Sequence, residues 1–340
     1  MSVTAVPALP AAEAAQAHAR AAGLRYSSDE EPGIKRVRRG RGFSYYGPDE
    51  SLITLPRERE RLDALAVPPA YTDVWICADP VGHLQATGRD GRARKTYRYH
   101  EEWRRFRDEV KFSELEAFGD RLGRARGRNE ESRRKRGLTK ERLLGAVFHL
   151  LDTHALRVGN EAYAEENDSY GATTLRTEHL KDGHVRFRAK GGREVDVPLS
   201  DRRFLGLARR LSDLPGQPLF QYRDEDGDLR RLGSSDVNGY LEEVFGQPVT
   251  AKQFRTWAGS LAAFEAGAAG ASVTDAVDAA AARLRNTPTV ARKAYIHPAI
   301  IEGIKDERLP GQAASLRSGL KTRKNLSRAE TLFLRWLDAA

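Results

Sequence analysis

Cysteine is almost missing from this chain: among 340 residues there is one, Cys77. A single thiol excludes an internal disulfide framework and a cysteine-based zinc site, and it fits a reducing cytoplasm. No stretch approaches the ~20 consecutive apolar residues of a membrane-spanning helix, so no membrane partner is expected. The N-terminus, MSVTAVPALPAAEAAQAHARAAGL, lacks the basic start and compact apolar core of a secretory signal. There is no internal repeat. The phosphate-binding pattern G-x-x-x-x-G-K-[ST] is absent, the eight histidines show no H-E-x-x-H or comparable metal spacing, and no paired-aspartate cluster occurs. Neither a metal nor any other cofactor is expected.

What is abundant is charge. Lysine and arginine number 57 against 48 acidic residues, a net charge of +9. That excess favours a polyanionic partner, most simply nucleic acid, although a merely solvated basic surface has the same composition. Hydrophobic residues make up 40%, which indicates a globular protein, and the length is enough for two domains and a sizeable core.

The texture changes near residue 100. The first few residues, with two prolines, read as loose. AAEAAQAHARAAGL reads as a short helix, and EPGIKRVRRGRGFSYYGPDES as a basic loop leading into a strand. DVWICA and HLQATG read as strands joined by a turn at Asp79-Pro80, and KTYRYH as a third strand after GRDGR. Beyond His100, EEWRRFRDEVKFSELEAFGDRLGRAR is helical, GRNEESRRKRG (127–137) reads as a charged connection, and LTKERLLGAVFHLLDTHALRVG carries a strong apolar stripe. The expected fold class is therefore α+β. A small N-terminal domain (1–100) with an antiparallel sheet and short helices precedes a larger, mainly α-helical domain (101–340) with one hairpin around 184–198 and an amphipathic helix in SRAETLFLRWLDAA.

Four short segments stand out. In VRFRAKGGREVDVPL, Val185, Phe187 and Ala189 alternate with basic residues, and Gly191-Gly192 make a turn that leaves Lys190 at a hairpin tip. VTAKQFRTWAGSLAAF opens with a Thr250–Gln253 capping box, and Arg255 lies at the edge of its buried stripe. An arginine there either snorkels or is held for a purpose. THALRVGNEAYAEENDSYGATTL places Arg157 where a long helix gives way to Gly159, with Tyr163 six residues on. Alone, an arginine at a helix C-terminus such as Arg157 is more often a partner of the helix dipole than a catalyst. In NTPTVARKAYIHP, Thr287 is an N-cap, Pro288 takes the first helical position, and Pro298 pushes His297 out of the helix. Tyr295 thus sits at the end of a short, bounded helix, with Asn286 just outside its start. A tyrosine so placed often needs only a partner for its hydroxyl.

Taken in order, Arg157, Lys190, Arg255, Asn286 and Tyr295 make a set that resembles the type IB DNA topoisomerases, specifically their small poxvirus and bacterial form. LRVGNEAYAEENDSYGATTL is similar to the segment around that family's first catalytic arginine, FRAKGG to its hairpin lysine, KQFRTWAGS to its second arginine and NTPTVARKAYIHP to its nucleophile segment. LQATGRDGRARKTYRYH resembles its DNA-facing strands. The likeness spans roughly residues 20–300. Asn286 departs from the poxvirus branch, which carries histidine there; bacterial members commonly have asparagine. Thr96 stands where glutamine is usual.

The resemblance implies relaxation of supercoiled double-stranded DNA by a monomeric, cytoplasmic enzyme of the bacterial nucleoid. One strand is cut through a 3′-phosphotyrosyl link and resealed, without ATP or metal. A tyrosine, with an ordinary pKa of about 10, is a weak nucleophile at neutral pH, and the phosphodiester transition state gathers negative charge. Always-charged, fork-shaped arginines suit that charge. Arg157 and Arg255 would clamp the phosphate, Asn286 would be a neutral third donor, and Lys190 would protonate the leaving oxygen. The basic runs KRVRRGRG and GRDGRARK, with Arg92, Lys95, Tyr97, Tyr99 and Tyr163, would bind DNA, and two domains joined near residue 100 would form a C-clamp. A tyrosine recombinase and a non-catalytic DNA-binding protein are the alternatives.

Overall fold

A computed structural model describes residues 11–339, except the side chains of Ala11, Ala12, Ala14, Asp108, Glu109, Lys111, Ala162 and Tyr163. The expected looseness of the first ten residues lies outside the described residues. The chain divides into two compact units, Met1–Ser113 and Glu114–Ala340.

In the first unit, α1 (Ala11–Ala21) precedes β1 (Ile34–Arg39) and β2 (Gly42–Tyr46); α2 (Pro56–Ala64) is followed by β3 (Thr72–Ile76), β4 (Leu84–Arg89) and β5 (Lys95–Tyr99). The strands form one antiparallel sheet in the order β2-β1-β3-β4-β5. Ile34, Tyr45, Ile76 and Ala86 meet Leu62 of α2 in a small core. The Asp79 turn forms as expected: its carboxylate accepts from Val81 N at 3.0 Å and its carbonyl from Gly82 N at 3.1 Å. The basic stretch expected as a loop and a strand is instead a complete hairpin, β1–β2. Its period was hidden because arginines fill both faces. Arg36 is used structurally: its guanidinium lies 4.2 Å over the Phe43 ring and donates to the carbonyls of Val67, Pro68 and Tyr71.

Next comes α3 (Glu101–Arg134), within which the division between the units falls. It is followed by α4 (Lys140–His154), α5 (Glu161–Asn167), β6 (Leu180–Lys181), β7 (His184–Ala189), β8 (Arg193–Pro198), α6 (Arg202–Ser212), β9 (Gln221–Arg223), β10 (Leu229–Arg231), α7 (Ser234–Phe245), α8 (Ala251–Ala268), α9 (Val273–Leu284), α10 (Pro288–Tyr295), α11 (Pro298–Lys305), α12 (Leu309–Arg317) and α13 (Arg328–Leu337). The α+β class and the helical second region agree with the sequence reading.

Two expectations do not hold. Residues 127–134 are not a connection, because α3 continues to Arg134; only 135–137 lie outside the helix. Tertiary partners hold that stretch helical despite Gly127: buried Asn129 accepts from Tyr240 Oη at 2.9 Å, and Arg133 donates to Asp201 at 2.6 Å. The expected hairpin, β7–β8, is also extended by β6, which pairs with β7 to make a three-stranded sheet, and a separate hairpin, β9–β10, occurs. Its strands, QYR and LRR, are too short to show alternation.

Helix α8 is central to the second unit and packs on α4, α7 and α9 through α13. Its Phe254 meets Phe118, Phe148 and Phe245 edge-on at 5.1–5.9 Å. Edge-to-face geometry satisfies the ring quadrupoles, so this cluster fixes the helix that carries Arg255.

Candidate active site

The end of α4 is where the candidate residues meet. A helix leaves its last carbonyls without partners and carries partial negative charge there. Here those carbonyls each accept from an arginine: Thr153 O from Arg283 at 2.9 Å, His154 O from Arg285 at 2.9 Å, and Ala155 O from Arg255 Nη1. Arg255 Nη2 also donates to Leu284 O at 3.1 Å. The dipole-partner role considered for Arg157 thus falls to three other arginines. Burial lowers the Arg283 and Arg285 pKa values from their usual level. It also lowers His154, to about 4, so that imidazole adds no charge at neutral pH.

Arg157 is thereby released to point elsewhere. Its Nη2 donates to Asn286 Oδ1 at 2.8 Å. Its backbone is pinned by Ala172 N to Arg157 O at 2.8 Å and Thr173 N to Val158 O at 2.7 Å. Both segments enter the site through a non-glycine residue in the left-handed region, Ala155 (φ 50°) before Arg157 and Arg285 (φ 53°) before Asn286. Such residues cost of order 1–3 kcal/mol each and persist only where surrounding contacts determine them.

Tyr295 closes the group. Thr287 caps α10 by accepting from Val290 N at 3.2 Å, Pro288 starts the helix, and it ends at Tyr295, as the sequence implied. The ring packs on Ala155, Ala258 and Leu284, with the Arg255 guanidinium 5.0 Å from its centroid. Ser260, fully buried, donates to Tyr295 O and accepts from His297 N, each at 3.0 Å. Gly259 permits this seat, since a Cβ there would lie 3.0 Å from Tyr295 O. Burial alone would raise the phenol pKa, but Arg255, Arg157 and Lys252 outweigh it and hold the value below the usual 10.

Among the described residues, two buried side-chain polar atoms have no hydrogen-bond partner: Arg255 Nε and Asn286 Nδ2. Both are donors and both belong to this cluster. Unsatisfied buried donors cost about 1–3 kcal/mol each, so their coincidence here marks a place prepared for an acceptor.

Lys190 is exposed, in the turn between β7 and β8 where Gly191 and Gly192 take φ of 83° and 73°. The preceding Ala189 lines a small cavity, about 10 Å³, together with Arg157 and Arg255, so the turn end of the hairpin abuts the arginines. Tyr163 is on α5, and its side chain lies outside the described residues.

In the first unit, Tyr97 and Tyr99 are 49% and 38% exposed on one face of β5, with rings 6.2 Å apart and nearly parallel, so both are surface groups rather than core. Lys95, on the same face, pairs with Asp29 at 2.5 Å. Arg92 is exposed in the β4–β5 turn, its backbone N donating to Asp90 at 2.9 Å.

Sequence reasoning missed Lys252, Ser260, Arg283 and Arg285. Lys252 was accessible, since it precedes Arg255 by three residues and therefore shares its helix face. The others depend on contacts across the fold. Among the described residues no group of three or more His, Cys, Asp or Glu side chains could hold a metal, and no helix is long and apolar enough to cross a membrane.

The chain is similar to known proteins along most of its length. Residues 100–313 match the model of the eukaryotic DNA topoisomerase I catalytic core, and residues 42–90 that of the bacterial DNA topoisomerase IB N-terminal domain. DNA topoisomerase 1B of Acanthamoeba polyphaga mimivirus is 29% identical over 285 residues, covering 78% of this chain and 85% of that protein. DNA topoisomerase 1 of Schizosaccharomyces pombe is 31% identical over 132 residues, 36% of this chain but 15% of that larger protein.

Proposed function

The chain belongs to the DNA topoisomerase I family, as a small type IB member, and from that premise we propose that it relaxes supercoiled double-stranded DNA through a covalent bond to Tyr295. The observation that carries the reading is the pair of orphaned donors, Arg255 Nε and Asn286 Nδ2, beside a tyrosine whose ionisation is favoured. A phosphodiester supplies the acceptor oxygens these donors lack.

The Tyr295 oxygen attacks the scissile phosphorus after losing its proton to solvent. The Arg255 charge beside the ring makes that loss easier. As the new P–O bond forms, the bond to the 5′-oxygen breaks. Arg157, Arg255 and Asn286 hold the charge on the non-bridging oxygens, the kind of prepared electrostatic stabilisation that gives enzymes their largest single term. Lys190, on the exposed hairpin turn, gives its proton to the departing 5′-oxygen. The phosphotyrosyl ester retains the energy of the broken bond, so resealing is the same reaction in reverse and needs no ATP. Asn286 takes part by hydrogen bonding alone, because an amide does not titrate.

Arg92, Lys95, Tyr97 and Tyr99 contact the duplex from the N-terminal unit, with Tyr163 contributing from α5. Lys95 must exchange Asp29 for a phosphate. The enzyme acts as a monomer in the bacterial nucleoid.

Relaxation of supercoiled plasmid in EDTA without ATP tests this, with SDS added to trap the adduct. Wild type should relax both supercoil signs and yield a covalent protein–DNA species, and Tyr295→Phe should do neither. Binding without relaxation or adduct would refute the catalytic reading. Strand exchange by an assembled tetramer at one site would favour a recombinase.

A further inference from the structure

A half-buried charge cluster is built around Arg126 of α3. Its five N–H groups make five bonds. Nε and Nη2 donate to Asp152 of α4 at 2.8 and 2.9 Å, Nη2 and Nη1 to Glu330 of α13 at 2.7 and 2.9 Å, and Nη1 to Asn325 O at 2.8 Å. Glu330 is 6% exposed, and Trp257 Nε1 of α8 donates to its Oε1 at 3.3 Å. Helix α13, Arg328–Leu337, lies beyond the 100–313 segment that matches the catalytic core.

The positions of these anchors relate them to the reaction. Trp257 is two residues from Arg255, so fixing its indole fixes the rotation of α8 and the direction in which Arg255 points. Asp152 lies one turn before Ala155, whose carbonyl receives Arg255, and Arg157 follows two residues on. The cluster therefore ties together the two elements that present Arg157 and Arg255. Bidentate, charge-assisted bonds give geometric specificity as well as strength, whereas a hydrophobic contact would allow the helices to slide.

We propose that Glu330 is a positioning residue for DNA cleavage: through Arg126 and Trp257, the C-terminal helix α13 holds α4 and α8 in the register that aims Arg157 and Arg255 at the phosphate. This rests on the functional reading above. In Glu330→Gln the capping box of α13 survives, because Gln serves at that position and can still accept from Ser327 N, now at 2.7 Å. The charge that grips Arg126 is lost, and with the amide oxygen kept on Ser327 N, an NH2 replaces the oxygen that accepts from Arg126 Nη2 and Trp257 Nε1. Trp257→Phe is a milder variant that removes the indole N–H and leaves a ring against Phe118 and Phe333.

The test measures single-turnover adduct formation at saturating DNA, and separately DNA affinity in the Tyr295→Phe background, well below the melting temperature of every variant. Displacement of a catalytic group by an ångström can cost ~100-fold in rate. Loss of one anchor should therefore slow adduct formation by about tenfold in Glu330→Gln and by severalfold in Trp257→Phe, with DNA affinity unchanged in both. Should Glu330→Gln fail to fold, Trp257→Phe decides alone. Wild-type cleavage rates in the folded variants, or a rate loss that merely follows lost affinity, would overturn the proposal. If the wild type forms no Tyr295-linked adduct, the functional reading falls and this proposal with it; a normal wild-type adduct with unaffected variants overturns this proposal alone.

Discussion

Gly259→Ala tests how Tyr295 is seated. Gly259 is inside α8, and a new Cβ would stand 3.0 Å from Tyr295 O, 3.1 Å from Tyr295 Cβ and 2.8 Å from Leu284 Cδ1. Leu284 can swing a methyl group aside, but the Tyr295 backbone cannot. Ordinary contact begins at 3.4 Å, so Tyr295 must withdraw by about 0.4 Å. Alanine improves helix propensity by about 1 kcal/mol, and overpacking costs about 1–3 kcal/mol, so the net loss of stability should be about 0–2 kcal/mol. Catalysis should respond more clearly. If 1 Å of misplacement costs ~100-fold, 0.4 Å costs roughly fivefold to tenfold. Single-turnover adduct formation at saturating DNA, with a melting curve on the same samples, measures both quantities. A variant that cleaves at the wild-type rate would show that the Tyr295–α8 contact does not set the attack geometry. One destabilised by more than about 4 kcal/mol would show that the strain cannot be absorbed as reasoned.

Other perturbations probe different parts of the same site. Asn286→Ala should lower the cleavage rate by about 100-fold, as loss of one charge-stabilising donor does, and Asn286→Asp should lower it further by setting a negative group against the phosphate; single-turnover kinetics measures both. Ultraviolet titration of phenolate, taken as the difference from Tyr295→Phe, should place Tyr295 below 10 in the wild type. In Arg255→Ala the value should rise, because burial then acts with less opposition; an unmoved value would discount the cation. Arg126→Met leaves Asp152 and Glu330 without their shared cation and should cost about 3–5 kcal/mol of stability, read from denaturant curves. Arg126 also holds Glu330 below its ordinary 4.5. That contribution is complete above pH 4.5 and fades as pH falls through the lowered folded-state value. Acidification below 4.5 should thus lower the melting temperature of the wild type more than that of Glu330→Gln.

Local chemistry was readable from the sequence where the cause was local. The Thr287–Pro288 start and the stop before Pro298 placed Tyr295 at a helix end, and alternation around Gly191-Gly192 placed Lys190 on a turn. Thr250 N does donate to Gln253 Oε1, at 2.8 Å. What escaped depends on partners far along the chain. Arg255 reaches Ala155 across 100 residues, and Arg126 reaches Glu330 across 204; neither contact leaves a periodic signal. The same limit explains residues 127–134, whose charge and Gly127 suggested a loop while Tyr240 and Asp201 hold them helical. It also explains Arg36, which the family resemblance assigned to phosphate and the fold assigns to backbone carbonyls.

The central claim is that Tyr295 is the residue joined to DNA. Trapping the adduct with SDS, digesting protein and DNA, and sequencing the nucleotide-bearing peptide by mass spectrometry tests it most directly. The account predicts the modification on Tyr295, within KAYIHPAIIEGIK, linked to a 3′-phosphate. A nucleotide on any other residue, or a bond to a 5′-phosphate, would contradict it.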